Sequence, residues 1–445
     1  MLRATRSSAS SRSAGDLGVR LRELRLAAGL TQGQLAGERF SKEYVSQIER
    51  GKTRPTEATV TWLAARLGVD PGFLRSGLSA VDRDRLDATL ARGDALVVAG
   101  RAGEAVEVFE GVRAQIVAAG SPELQLRALV GEARARAETG DVRGAIEILL
   151  RAREVTEDER FSDLERAEVL FGLGVCRYKL SSISTALGLL NEALALAERP
   201  ELPSDQLKSR ILHWRSRCYR RQRDYEAARE DVERALELAQ SVQDPRLAAH
   251  LYFQASLVAD REGHYVLARS YAERAKSQYE EVADLMNVGR LLNNLGGLHH
   301  RLGNPAEAIS HLKQAFATAL ELENDADAAQ AISSLARVNL DLGDVGAAED
   351  QARQALRLLD GRDDYLDEIG SAQVVLGRAL LEQDRLDEAD AILREADRSF
   401  ELLASAGHRA SAWIVRGDVE LRRGADRTAA RLYRQAAEAL QDVRF

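Results

Sequence analysis

Apolar residues recur along this chain at the three- and four-residue spacing of one helix face, and glycine-containing turns interrupt them. Near the N-terminus the helical stretches are short; in the first of them Leu17, Leu21, Leu24 and Ala28 share one face. Alanine and leucine fill most apolar positions, whereas aromatic residues make up only 5% of the chain. Because this composition favours closely packed helices over sheets, the pattern predicts an all-α protein.

Residues 16–75 carry the start and stop signals of five short helices. The first is expected from about Leu17 to Ala28, the second from Gln32 to Gly37 and the third from Lys42 to Arg50. The side chains expected to cap the later helices are Thr31 (in a capping box with Gln34), Ser41, Thr56 and Asp70, the last followed by Pro71.

The third of these helices is polar on its outer side. Val45 and Ile48 are expected to point inward, which leaves Lys42, Glu43 and Gln47 facing outward. Two short helices around a tight turn, the second of them polar on the outside, form the helix-turn-helix arrangement.

In about sixty residues the chain resembles the lambda-repressor-like class of helix-turn-helix domains, also called the Cro or XRE class. The residues that carry the resemblance are Leu30-Thr31-Gln32, Gln34-Leu35-Ala36, Tyr44-Val45-Ser46-Gln47-Ile48-Glu49-Arg50-Gly51-Lys52-Thr53-Arg54-Pro55, Leu63-Ala64 and Leu67-Gly68-Val69. The turn Gly37-Glu38-Arg39-Phe40 departs from the family pattern, since its glycine stands earlier and the turn is one residue shorter.

The resemblance implies contacts with double-stranded DNA for nine residues, Gln32, Ser41, Lys42, Glu43, Tyr44, Ser46, Gln47, Lys52 and Arg54. Long side chains on the third helix can reach base edges in the major groove, whereas the helix starts and the loop after the third helix suit phosphates. The resemblance also implies an internal ion pair between Arg25 and Glu49.

Each of these residues has a second interpretation as a solvated surface residue, and for Glu43 the two are equally good. Tyr44 can stack on the sugar-phosphate backbone or pack over Phe40. Residues 1–15 are expected to be a disordered basic tail, although its arginines (Arg3, Arg6 and Arg12) could also contact the duplex.

Behind a linker expected at 76–84, one pattern recurs over residues 85–445: a turn, often Gly-Asp or Gly-Asn, then a small residue five positions after the glycine. Aligned on the small residue, the repeats are marked by Ala105, Ala145, Ala186, Ala228, Ala268, Ala308, Ala348, Ala389 and Ala429, at spacings of 40 to 42 residues. Leu-Gly pairs such as Leu295-Gly296 mark the facing helix. The pattern resembles the tetratricopeptide repeat and implies an α-solenoid of about nine helical hairpins. Long units of this kind behind a helix-turn-helix resemble the peptide-pheromone receptors of Gram-positive bacteria.

In such a solenoid the first helix of each hairpin lines a concave wall. The repeat phase places eight candidate ligand-binding residues there, Arg210, His213, Arg217, Arg221, Phe253, Asn293, His300 and Arg337, with Phe171 and Gly297 beside them. Asparagine can hold a peptide backbone and arginine a carboxylate. The alternative for each is a solvated solenoid surface.

The sign of the net charge changes where the short N-terminal helices give way to the repeats. Residues 1–75 carry an excess of six positive charges, and the remainder an excess of fourteen negative charges. Only the front is therefore expected to meet nucleic acid. The two cysteines, Cys176 and Cys218, are expected to be buried, and with no apolar run that could span a membrane we expect a cytoplasmic protein.

The sequence contains no P-loop, no Gly-x-Gly-x-x-Gly after a strand, no His-Glu-x-x-His motif and no Cys/His metal spacing, so we expect no enzyme, cofactor or metal site. These features predict a sequence-specific transcription regulator whose repeats sense a peptide or protein partner. Two alternatives are repeats that serve only oligomerisation or protein docking, and a chain that is entirely an interaction scaffold. A homodimer is expected through the last helix, whose apolar residues are Ala430, Leu432, Tyr433, Ala436, Ala437 and Leu440.

Overall fold

The computed structural model describes residues 8–199, 204–242, 244–362, 365–403 and 406–441, and within those ranges the regular structure is helical, without strands. The all-α prediction is confirmed. The first five helices are α1 (Ser8–Ala27), α2 (Gln32–Ala36), α3 (Lys42–Glu49), α4 (Glu57–Leu67) and α5 (Pro71–Ser76).

The capping side chains stand where the sequence places them. The hydroxyl of Thr31 accepts a hydrogen bond from the backbone N–H of Gln34 at 3.1 Å, and the Gln34 side chain accepts from the Thr31 N–H at 2.8 Å. Ser41, Thr56 and Asp70 accept likewise at the starts of α3, α4 and α5. These caps fix the helix starts because each satisfies an amide that has no partner inside its helix.

The first helix is longer than the sequence suggested. It begins at Ser8 and not near Leu17, so part of the segment expected to be a tail is helical. The side chains of Arg3, Arg6 and Arg12 lie outside the described part of the chain. Further along, α1 runs so close to α3 that a β-carbon on Gly18 would lie 2.4 Å from the carbonyl oxygen of Ile48.

The linker is shorter than expected. The sixth helix begins at Ala80, which leaves residues 77–79 between it and α5. Ser79 explains the difference, since its hydroxyl accepts from the Asp82 N–H at 3.1 Å and caps the helix.

Behind the linker the described residues form nine hairpins of two helices each. Their helices are α6 (Ala80–Val98), α7 (Ala102–Ala119), α8 (Pro122–Glu138), α9 (Val142–Val155), α10 (Asp163–Lys179), α11 (Ile183–Ala197), α12 (Asp205–Arg221), α13 (Tyr225–Val242), α14 (Pro245–Arg261), α15 (Tyr265–Glu281), α16 (Leu285–Arg301), α17 (Pro305–Glu321), α18 (Asp325–Asp341), α19 (Val345–Leu358), α20 (Leu366–Glu382), α21 (Leu386–Leu402), α22 (Ala406–Arg422) and α23 (Asp426–Gln441). The chain forms two compact units, residues 1–218 and 219–445.

Small residues let the two helices of a hairpin approach each other. The nine marker alanines are all buried, with at most 1% of their surface exposed. A β-carbon on Gly296 would lie 2.5 Å from the side chain of Leu312, and one on Gly377 would lie 2.5 Å from that of Leu393. The Leu-Gly pairs therefore mark the face on which the second helix packs, as predicted.

Candidate DNA interface and repeat walls

Helix α3 presents the polar face that the sequence predicts. Val45 and Ile48 are buried in the core of the front domain, whereas Lys42, Glu43 and Gln47 are exposed. Ser41 is exposed at the N-cap, so the amides at the start of the helix lie close to solvent and can face a phosphate.

Thr53 holds one of these side chains in place. Its hydroxyl donates a hydrogen bond to Oε1 of Gln47 at 3.0 Å, across the turn that follows α3. This leaves the Gln47 amide NH₂ group for another acceptor. Thr53 was not among the predicted site residues, because nothing in local spacing shows that the turn brings it back to the helix.

The aromatic side chains beside α3 pack against one another. The ring centroids of Tyr44 and Phe40 are 5.3 Å apart, and those of Phe40 and Trp62 are 5.1 Å apart in an edge-to-face arrangement. Tyr44 is half-buried. Of its two predicted roles, packing over Phe40 is the one observed.

Arg25 and Glu49 form the expected ion pair between α1 and α3. The Arg25 Nε lies 2.6 Å from Oε1 of Glu49, and their side chains are only 9% and 3% exposed. Gln32 joins them by donating from Nε2 to Oε2 of Glu49 at 2.8 Å. The Gln32 side chain is thus engaged inside the domain. For a contact with phosphate, Gln32 contributes the backbone amide at the start of α2 and not its side chain.

The rim of this surface is basic. Lys52 and Arg54 are exposed in the loop after α3, and Ser46 is half-buried on the helix itself. The Lys52 N–H donates to the Gln47 carbonyl at 2.8 Å, which closes the turn and brings the loop beside the helix. With Lys42 at the other end, the outer side of α3 carries cations at both ends.

In the repeats, the first helices of neighbouring hairpins are joined by ion pairs between residues about one repeat apart. The pairs between helices are Asp87–Arg127, Asp94–Arg134, Glu138–Lys179, Glu168–Arg210, Asp260–Arg301, Arg290–Asp327, His300–Asp341 and Asp341–Arg378, and Asp384, in the turn after α20, pairs in the same way with Arg422 on α22. This ladder was not predicted, although opposite charges recurring 37 to 42 residues apart, the separations of these pairs, would have signalled it. These wall charges are therefore already paired within the protein.

The first unit brings together three of the predicted wall residues. Arg210 pairs with Glu168 at 3.1 Å and lies 4.6 Å from the ring centroid of Phe171. Arg217 lies over two rings, 5.0 Å from Tyr178 and 4.3 Å from Trp214. The His213 ring stands beside that of Trp214, with centroids 6.0 Å apart. These cations are held on aromatic faces.

The second unit holds the other five predicted residues, but in different surroundings. Phe253 is half-buried against the core of α14 to α16. Asn293 lines a pocket between α16, α17 and α18, and its Oδ1 has no hydrogen-bond partner among the described residues. Arg221 is exposed.

Two of the five lie beside Asp341. The Nε2 of His300 is 3.0 Å from Oδ2 of Asp341, and Arg378 approaches the same carboxylate at 3.8 Å. Arg337 lies one turn before Asp341 on α18 and is exposed.

Family models match both the front domain and the repeats. A family model described as a helix-turn-helix domain matches residues 16–75, and models of the tetratricopeptide repeat match residues 130–203, 209–241 and 287–360. No curated protein matches the sequence. None of the matching family models describes an enzyme.

Solved structures share the fold of the repeats. The apo form of the quorum sensor NprR from B. thuringiensis is 13% identical, with a TM-score of 0.62, and the match covers 80% of this chain and 99% of that one. A Rap conjugation gene regulator in complex with a peptide is 13% identical, with a TM-score of 0.53 and coverage of 81% and 96%. Aspartyl phosphate phosphatase F from Bacillus subtilis is 14% identical, with a TM-score of 0.51 and coverage of 91% and 97%. At these identities the likeness concerns the fold. No described helix is long and apolar enough to cross a bilayer.

Proposed function

We propose that this chain, a helix-turn-helix domain followed by tetratricopeptide repeats, is a sequence-specific DNA-binding transcription regulator. The observation that carries the proposal is α3, a capped helix that exposes Lys42, Glu43 and Gln47 on a domain with a well-packed core. Lysine donates to guanine, glutamine pairs with adenine in a bidentate manner, and glutamate accepts from the amino group of cytosine.

Selection of duplexes from a random pool, followed by titration of the full chain, tests the proposal. Replacing Lys42 or Gln47 by alanine is expected to cost about 1–3 kcal/mol on the selected site and to relax base preference. Lys52→Ala is the matched control, because a phosphate contact weakens selected and random DNA alike. Equal losses on both kinds of DNA for all three variants would contradict base reading.

We further propose that the repeat walls bind a peptide or a protein partner. Support comes from the polar side chains on the walls and from the likeness to NprR, described as a quorum sensor, and to a Rap regulator solved with a peptide. A ligand that binds only the folded repeats raises their melting temperature by mass action. If neither fractionated culture supernatant nor a peptide pool shifts it, docking or oligomerisation is the better description.

Dimerisation through the last hairpin is part of the proposal. On α23, Leu432 and Ala436 face the protein's own core, whereas Ala430, Ala437 and Leu440 are exposed. The exposed strip could pair with a second copy. An Ala437→Glu/Leu440→Glu variant should then be lighter than the wild type in light scattering; a wild-type chain that is monomeric at micromolar concentration with operator DNA present would argue against the dimer.

A further inference from the structure

A cavity of about 100 Å³ lies between α7, α8 and α9, in the first two hairpins of the repeats. Because α7 and α9 are the second helices of their hairpins, the cavity lies on the outer side of the repeats and not on the concave wall. Val130 and Arg134 hold the wall positions of this repeat, fifteen and eleven residues before the marker alanine, and neither lines the cavity. The cavity is therefore separate from the wall that we propose for peptides.

The inner part of the cavity is apolar and has a fixed shape. Phe109, Ile116 and Leu129 line it, and each is at most 7% exposed. The ring of Phe109 lies against two glycines, since a β-carbon on Gly93 would be 2.6 Å from it and one on Gly131 would be 2.5 Å from it. A closed cavity of about 150 Å³ holds the six carbons of benzene, so this one has room for about four or five non-hydrogen atoms.

One side of the cavity carries a buried charge. Glu132 lines it and is only 2% exposed. Thirteen residues before the marker alanine, where this repeat has Glu132, four other repeats have leucine (Leu173, Leu295, Leu335 and Leu376). A carboxylate at a position that otherwise completes the core is costly unless its oxygens are hydrogen-bonded.

The hydrogen bonds of Glu132 leave one of its oxygens free. Arg113 donates from Nη2 and Arg136 from Nε, the latter at 3.0 Å, and both reach Oε1. Oε2 accepts no hydrogen bond from the residues that the structure describes. Arg113 also lines the cavity, and its buried Nε has no acceptor among those residues. A free acceptor and a free donor thus lie close together, because they belong to two side chains that are in contact.

The two free atoms select the chemistry of a ligand. A hydroxyl or a primary amide can donate to Oε2 of Glu132 and accept from Nε of Arg113. A carboxylate has no proton for Oε2, and an ammonium group has no lone pair for Nε. Since buried polar groups are unfavourable without a partner, a neutral group that satisfies both atoms is the best match.

We propose that this cavity is a binding site for a small neutral molecule, with a short apolar body against Phe109 and a hydroxyl or primary amide group between Arg113 and Glu132. The site is formed by α7 to α9 alone and depends neither on the DNA-binding surface nor on the concave wall. It gives the repeats a second ligand, of a class different from a peptide or a protein.

Titration of the full chain with four compounds of equal size, followed by ligand-observed NMR, tests the site. 1-Butanol and propionamide are neutral, propionate is an anion and 1-butylammonium is a cation, and each has five non-hydrogen atoms. The neutral compounds should bind with dissociation constants of about 1–10 mM, which ligands of this size can reach. The charged compounds should bind about tenfold more weakly, because each leaves one of the two buried atoms without a partner.

Filling the cavity tests where the ligand binds. Ala128 lines the cavity, and other repeats have Leu251 and Leu291 at the same position, seventeen residues before the marker alanine. Ala128→Leu should therefore abolish the binding of 1-butanol. It should melt no lower than the wild type, because the added side chain makes contacts where space was left.

Removing the polar partners tests how the ligand is held. Arg113→Met/Glu132→Leu leaves no buried charge behind, since Arg136 keeps its pairs with Glu110 and Asp141. This double variant should bind 1-butanol and propionamide about tenfold more weakly, the loss expected for hydrogen bonds to charged groups. Glu147→Leu is the matched control, because it replaces an exposed glutamate of α9 that does not line the cavity, and it should bind as the wild type does.

Three results would overturn the site. They are equal binding of 1-butanol to the wild type and Ala128→Leu, tighter binding of a charged compound than of both neutral ones, and no binding of either neutral compound, in which case the cavity holds only water. If Ala128→Leu melts below the wild type, the double variant decides in its place. None of these results bears on the binding of DNA or of peptides, which involves other surfaces.

Discussion

Replacing Glu49 by glutamine removes the charge at the centre of the front domain without changing its shape. The carboxylate accepts hydrogen bonds from Arg25 at 2.6 and 3.2 Å and from Gln32 at 2.8 Å. Arg25 also donates to the carbonyl oxygen of Leu30 at 2.7 Å. In Glu49→Gln an NH₂ group takes the place of one acceptor, and the buried guanidinium loses its counter-charge.

The expected cost is large for so small a domain. Breaking a buried ion pair from one side costs about 3–5 kcal/mol, because the remaining charge stays buried without a partner. About sixty residues at about 0.05–0.15 kcal/mol each give a total stability of about 3–9 kcal/mol. The single substitution is therefore expected to remove most of the free energy of unfolding of the front domain. Replacing both partners, as in Arg25→Met/Glu49→Leu, strands no charge and should be far milder.

Hydrogen exchange of the full chain, followed by mass spectrometry, measures the stability of the front domain separately from that of the repeats. Peptides from α1 and α3 should exchange much faster in Glu49→Gln, while peptides from the repeats stay unchanged. Glu104→Gln is the control, since its pair with Arg101 at 2.6 Å is exposed and screened by solvent. Unchanged exchange in Glu49→Gln, or a double variant as damaged as the single, would refute the reasoning.

Three further substitutions have outcomes that follow from single contacts. Gly18→Ala should destabilise the front domain by about 1–3 kcal/mol, because its β-carbon meets a carbonyl oxygen of α3; Gly33→Ala, at an open position, should not, as local hydrogen exchange will show. Thr53→Val should cost about 1 kcal/mol of binding to the selected DNA site and nothing on random DNA, because the recognition glutamine loses its hydrogen bond. The pKa of His408 is raised chiefly by its hydrogen bond with Asp367, whose own pKa that contact lowers. This stabilisation is complete below the unfolded histidine pKa of about 6.5 and fades as pH rises through the higher folded value. In acid it is lost again below about pH 3.9, as the aspartate protonates. The melting temperatures of His408→Gln and wild type should therefore converge towards alkaline pH, and a difference that stays constant with pH would contradict this role of the ion pair.

The helix caps and the repeat register could be predicted because both depend on residues close together in sequence. Thr31 and Gln34 meet within one turn, so their spacing is enough to predict the contact. The nine marker alanines are buried as predicted because a small residue is needed wherever two helices of a hairpin cross. The linker was predicted too long for a local reason as well: Ser79 and Asp82 carry a cap signal that was not taken into account.

Contacts between side chains that are far apart in sequence could not be predicted in this way. The Arg25–Glu49 pair was predicted only through the family resemblance, and Gln32, expected at the DNA, was found to donate to Glu49. On the wall of the second unit the sequence pointed to Arg337, and only the structure shows that Arg301 reaches Asp260 and that Arg378 reaches Asp341. A hydrogen bond depends on tenths of an ångström and on every competing partner nearby. Local periodicity specifies neither, so the sequence determined the helices and their register, whereas the packing of helices about forty residues apart decided which charges remain free to bind.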